Sequence, residues 1–119
     1  MRYQWVGGQW LKSSREQIPV VNPATEEVID HIPRGPAADA DRAVQAAREA
    51  FKTWRWMPAV EKAQLLHAIA SDLRSRHKEL ATVMTKEGGK PFCENRDEVE
   101  WVAACFDYYA EIGRNSRGS

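Results

Sequence analysis

Apolar residues change their spacing once along this chain, and the change separates a strand-forming opening from a helical remainder. Residues 3–6 and 9–12 read as short strands around Gly7-Gly8, a dipeptide that supplies the positive φ of a two-residue hairpin turn. Residues 13–17 are polar and read as loop. Residues 20–22 form a short strand stopped by Pro23, and residues 27–32 a second, broken by Arg34-Gly35-Pro36. Beyond that point the period lengthens. Ala43, Val44, Ala47, Ala50, Phe51 and Trp54 recur at three- and four-residue steps, which predicts an amphipathic helix over 38–54, with Asp39 and Asp41 near its positive end. A second helix starts near Pro58, whose missing N–H has no helical partner in a first turn anyway. It carries Leu65, Leu66, Ile69, Ala70 and Leu73 on one face. The pattern pauses at Arg76-His77 and resumes with Leu80, Val83 and Met84. Gly88-Gly89 stops it, because glycine takes the left-handed cap geometry cheaply. The last helix spans about 92–113, with Val99, Val102, Ala103, Phe106 and Ala110 inward.

Composition narrows the class without naming a function. The 119 residues are 43% hydrophobic and 29% charged, globular values. The 17 basic and 17 acidic residues cancel, so there is no electrostatic footprint for nucleic acid or an anionic membrane surface. Residues 74–78, the longest basic stretch, read as a solvated helix face. Five tryptophans imply large buried surfaces or faces meant to meet more protein. The N-terminus has no signal-peptide pattern, and no stretch approaches the ~20 apolar residues of a membrane span.

The candidate chemistry is thin. Cys93 and Cys105 are the only cysteines, both expected as free thiols in a reducing, cytoplasmic setting. Cys105, beside Phe106, is expected to be a buried structural thiol, and Cys93 to be exposed near a helix start with no base placed to activate it. His31, His67 and His77 match no zinc spacing, and His67 and His77 are expected on helix surfaces or edges. Gly88-Gly89-Lys90 lacks the earlier glycine of a phosphate loop, and Pro91 stands where its Ser or Thr would. Gly7-Gly8 lacks the third glycine and the βαβ setting of a dinucleotide fingerprint.

Three motifs change the picture through their order: VVNPATEEVI (20–29), DRAVQAAREAFKTW (41–54) and EGGKP (87–91). With the Trp5/Trp10 hairpin they resemble the N-terminal segment of the aldehyde dehydrogenase superfamily, over nearly the whole chain. EGGKPFCENRDEV and the FDYYAEIGRNSRG tail look like the betaine-aldehyde type of bacterial member. The resemblance implies an α/β parent fold. This chain would be one incomplete domain of it, the N-terminal part of the cofactor-binding domain, with strands over about 3–32 and helices over about 38–113.

It also implies an activity that these residues do not carry. In that family a cysteine thiolate attacks an aldehyde, a hydride passes to NAD or NADP, and a carboxylate activates water to hydrolyse the thioester. An Asn side chain and a backbone N–H stabilise the oxyanion. All of these residues lie beyond the position equivalent to Ser119. No residue here is assigned as catalytic or cofactor-binding, and the isolated chain is expected to be inactive and to hold no cofactor. The implied partners are the remainder of the subunit and further copies in a homo-oligomer, with no nucleic acid and no membrane. A monovalent cation site, potassium or sodium on hard oxygen ligands, carries over onto Val20 and Glu87. One departure is local. The family usually has Gly after the NPAT turn, where Glu26 stands; if that position needs positive φ, Glu costs roughly 1 kcal/mol or more. Two other readings remain: a non-enzymatic small helical protein that binds a partner through exposed apolar helix faces, and an autonomous helical enzyme, for which no catalytic constellation is present.

Overall fold

The computed structural model describes residues 4–11 and 16–115. Tyr3, Lys12, residues 13–15 of the expected 13–17 loop and the end of the FDYYAEIGRNSRG tail lie outside the described residues. The chain divides into two compact units, Met1–Trp56 and Met57–Ser119.

In the first unit β1 (Gln4–Val6) and β2 (Gln9–Leu11) form the expected antiparallel hairpin. Gly7 and Gly8 take φ of 60° and 79°, the left-handed pair that a two-residue turn requires. Trp5 pairs across the strands with Trp10, their rings edge to face at 4.9 Å. A Cβ on Gly7 would lie 3.5 Å from Ala46 Cβ, so the turn also lets the hairpin come close to the next helix.

The second ribbon is longer than its sequence suggests. β3 (Gln17–Val21) begins three residues before the expected start and ends one residue early; β4 (Val28–Pro33) pairs with it antiparallel. Pro19, opposite His31, does not interrupt the strand. A two-stranded ribbon has only edge strands, where a missing N–H can face away from the ladder. Arg34 closes the open end, its backbone N–H donating to the Glu16 carbonyl at 3.0 Å and its guanidinium to the Glu16 carboxylate at 2.8 Å. The register slips between Val20, opposite Asp30, and Val21, opposite Val28. Ile29 is the extra residue of this bulge.

Asn22 organises the turn that joins the two strands. Its side-chain oxygen accepts from Ala24 N–H at 2.9 Å, its carbonyl accepts from Glu26 N–H at 2.7 Å, and its own N–H donates to the Glu27 carbonyl at 2.9 Å. This wrapping places Glu26 at φ 61°, the left-handed site that the family's usual glycine suits. α1 (Ala37–Trp54) follows Pro36. Asp39 is its one buried residue and pairs with Arg42, while Val44, Phe51 and Trp54 of the expected apolar face remain exposed.

The second unit is three helices: α2 (Ala59–Ser75), α3 (His77–Gly88) and α4 (Phe92–Arg114). Pro58 precedes the first turn of α2. Arg76, at φ −107° and ψ 11°, breaks α2 from α3, and Gly89 at φ 75° caps α3. α2 and α4 pack antiparallel through alanines spaced seven residues apart: Ala63 and Ala70 on one, Ala103 and Ala110 on the other, all buried. Small side chains at that spacing let two helix backbones approach closely. Ala81 and Val99 complete the buried apolar set. Val102, Leu65 and Ile69, expected inward, are exposed. The seam follows the alanine line, and each of these larger residues lies off it.

Candidate functional site

The densest chemistry among the described residues runs along the seam between α2 and α4. His67 and Arg74, seven residues apart on α2, face Glu100, Asp107 and Glu111 on α4. His67 Nδ1 lies 2.6 Å from Asp107 Oδ1, and Nε2 lies 2.9 Å from Glu111 Oε1. Arg74 donates from Nε to Glu100 at 2.8 Å and from Nη1 to the other oxygen of Asp107 at 2.7 Å. An imidazole with a carboxylate at each nitrogen satisfies both only as the doubly protonated cation. The hydrogen bonds to Asp107 and then Glu111 accordingly raise the His67 pKa. The same bond from His67, followed by that from Arg74, holds Asp107 below the usual carboxylate range, and His67 does the same for Glu111.

This arrangement ties α2 to α4. A general base works best with its pKa lifted toward neutrality, and these carboxylates are pushed the other way by the cations they hold. Nearby, Arg74, His77, Arg96, Asp97 and Glu100 line an open hollow. Its arginines already have carboxylates, Arg74 as above and Arg96 on Asp97 at 3.2 Å.

The EGGKP segment makes the corner between α3 and α4. Asn95, 2% exposed, donates from Nδ2 to Thr85 Oγ1 at 2.9 Å and to the Lys90 carbonyl at 3.1 Å. Lys90 reaches Glu98 and, at 3.7 Å, Glu94. Sequence reasoning missed both Asn95 and the seam. The seam had a legible signal, opposite charges at seven-residue spacing on two helices, whereas an asparagine in a polar stretch has none.

The residues singled out from the sequence fall as follows. Val20 lies at the β3 bulge in the first unit, and Glu87 is exposed in the last turn of α3 in the second. Cys93 is exposed, as expected. Cys105 is exposed too, which corrects the expectation of a buried thiol: it stands two residues past Ala103 on α4, which at 100° per residue turns it away from the seam. His31 is exposed on β4, and His77 rests its Nδ1 3.1 Å from the Arg74 carbonyl oxygen. Among the described residues no group of three His, Cys, Asp or Glu side chains could hold a metal ion, and no helix is long and apolar enough to cross a membrane.

Comparison with known proteins fits these elements into a larger body. Aminoaldehyde dehydrogenase 2 of Zea mays is 42% identical over 114 residues, spanning 91% of this chain and 22% of that protein. The crystal structure of lactaldehyde dehydrogenase from Escherichia coli superposes at a TM-score of 0.95 with 38% identity, covering 99% of this chain and 25% of that one. A betaine aldehyde dehydrogenase from Staphylococcus aureus in complex with NAD+ superposes at 0.93 with 28% identity, over 100% and 24%. The chain thus spans about a quarter of the length of the relatives it matches. Small antiparallel strand pairs followed by four helices are the order of the fold's N-terminal part. With residues 10–119 matching the family itself, the chain belongs to the aldehyde dehydrogenase family.

Proposed function

We propose that this chain serves as the N-terminal portion of an NAD(P)-dependent aldehyde dehydrogenase, bracing the cofactor-binding domain of an enzyme that oxidises an aldehyde to a carboxylate through a cysteine thioester. The observation that carries this reading is the superposition of 99% of the chain, at a TM-score of 0.95, on a quarter of a lactaldehyde dehydrogenase. The NAD+ complex of the Staphylococcus aureus betaine aldehyde dehydrogenase supports a nicotinamide cofactor in the full enzyme. The remainder of the subunit is the first partner, further copies in a homo-oligomer the second, and the cytoplasm the compartment that suits two free thiols.

The chain's own residues supply no reacting group in this reading. Among the described residues neither exposed thiol is paired with a base, and the carboxylates of the α2–α4 seam are neutralised by His67 and Arg74. Mixing the isolated chain with an aldehyde and NAD+ or NADP+ is expected to give no aldehyde-dependent rise in nicotinamide absorbance. Turnover abolished by Cys93→Ala would overturn that.

Val20 and Glu87 carry over as oxygen ligands for potassium or sodium in the full-length enzyme. The exposed Glu87 carboxylate makes no ion pair or hydrogen bond within the described residues, and a hard anionic oxygen suits such a cation. Glu87→Gln in the full-length enzyme is expected to weaken potassium-dependent thermal stability. An unchanged salt response rules out the ligand role.

The second reading, a non-enzymatic small helical protein that binds a partner, draws on the bare apolar residues of α1 and α4. The intact mass of the native product separates the two. A product several times 13.5 kDa supports the dehydrogenase; one of 13.5 kDa supports the small binding protein.

A further inference from the structure

The β3–β4 ribbon has two edges, and among the described residues no third strand joins either. Ile18, Val21, Val28, Ile29 and Ile32 are exposed on it. Edge strands rich in β-branched residues are templates for pairing with another chain. The ladder shows what stands in the way. One step beyond the Gln17–Pro33 rung, the Arg34 N–H bonds the Glu16 carbonyl. Bonded and non-bonded rungs alternate in an antiparallel pair. Ile18–Ile32 and Val20–Asp30 are therefore bonded rungs, while Gln17–Pro33 and Pro19–His31 turn their backbone nitrogens outward. Pro19 has no N–H to offer on the β3 edge. On the β4 edge Pro33 has none either, and the outward His31 N–H donates to Asp30 Oδ1 at 2.7 Å. The Pro19–His31 rung, midway along the ribbon, thus presents no open donor on either side.

We propose that Asp30 is an edge guard: its carboxylate caps the His31 N–H and, with Pro19 and Pro33, closes the ribbon to strand addition by a second copy of this chain. An added strand needs outward N–H groups as donors. To use that of His31 it must displace Asp30 and offer a backbone carbonyl instead. Hydrogen bonds to an ionised carboxylate are roughly twice as strong as neutral ones, so the exchange runs uphill. The bulge at Ile29 adds to the closure by twisting the β4 edge beyond Asp30. The apolar run of β4 can then stay exposed without recruiting a partner strand.

The test has two readouts on the chain itself. The first is residue-resolved amide exchange at His31 in dilute solution. Exchange is expected to quicken by about tenfold in Asp30→Ala, the scale of one hydrogen bond to a charged group. Equal rates in Asp30→Ala and the native chain overturn the cap. The second is the infrared band of intermolecular strands over a range of concentrations, which does not register association through helices. Combined Asp30→Ala and Pro33→Val substitutions restore two outward donors on β4 and are expected to bring the band up with concentration, while the native chain shows none. Combined Asp30→Asn and Pro33→Val keep a side-chain oxygen for His31 without the charge and are expected to stay free of the band. The band in the native chain, or its absence from the first double variant with helical circular dichroism intact, overturns the proposal. The band in the second double variant assigns the protection to charge repulsion and overturns the capping role.

Discussion

At Glu26 a single backbone angle carries an energetic consequence. Its φ of 61° crowds the Cβ against the backbone, which costs roughly 1–2 kcal/mol for a residue other than glycine. The hydrogen bonds centred on Asn22 hold the turn there regardless. Glu26→Gly removes the crowding but gives the unfolded chain more freedom, worth about 0.5–1 kcal/mol against it. A net gain of roughly 0.5–1 kcal/mol, read as a melting temperature a few degrees higher, is expected in a thermal melt; a lower one would mean that the Glu26 side chain contributes more than its backbone costs. Asn95 sits at the opposite extreme, in ordinary helix geometry and almost wholly buried, where it satisfies the Thr85 hydroxyl and the Lys90 carbonyl. The strained residue was legible in the sequence because its neighbours form a recognisable turn. Asn95 was not, because its role depends on two segments that only the folded chain brings together.

Element boundaries follow the same division. The hairpin at Gly7-Gly8, the break at Arg76 and the end of α3 were legible because glycine, proline and period act locally. β3 runs longer than its own pattern because its continuation through Pro19 depends on the partner strand. Helical periodicity marked α4 as amphipathic, yet it could not say which of two apolar faces is covered, so Val102 and Cys105 were placed inward. What joins α2 to α4 is alanine contact and the His67 seam. His67 is faced by Asp107 and Glu111 from α4; Arg74 shares Asp107, and Arg114 reaches Glu111 at 3.4 Å. The His67 pKa is raised, so its contribution to stability is fully present below the unfolded value of about 6.5 and is lost as pH rises through the folded value. Asp107 and Glu111 are lowered, so theirs is present above the ordinary carboxylate range and lost as pH falls through their folded values. Stability is expected to peak between those limits. These groups are a third to a half exposed, so solvent screening keeps the effect modest. His67→Gln should flatten the alkaline limb and leave the acid limb largely in place, as denaturant melts at a series of pH values would record. An unaltered alkaline limb would mean that His67 does not couple α2 to α4.

The whole chain leaves much of its apolar surface to water. Among the described residues the buried apolar set is five alanines and one valine, while Val44, Phe51, Trp56, Trp101, Tyr108 and Tyr109 are exposed. Full burial of one large apolar side chain contributes roughly 1.5–3 kcal/mol, and alanine far less, so much of the apolar energy this sequence could supply lies in side chains that are exposed. The sequence already carried that signal in its five tryptophans, which are more than a core of alanines can use. The isolated chain is therefore expected to keep its helices, because their starts and stops are set locally. It should melt broadly and bind a hydrophobic dye such as ANS through a patch larger than the few hundred Å² usual for a monomer. Circular dichroism against temperature, with dye fluorescence on the same sample, checks both. A sharp cooperative melt without dye binding would mean that these faces find cover within the chain or between its copies, and the case for a larger dehydrogenase body as their partner would lose its energetic basis.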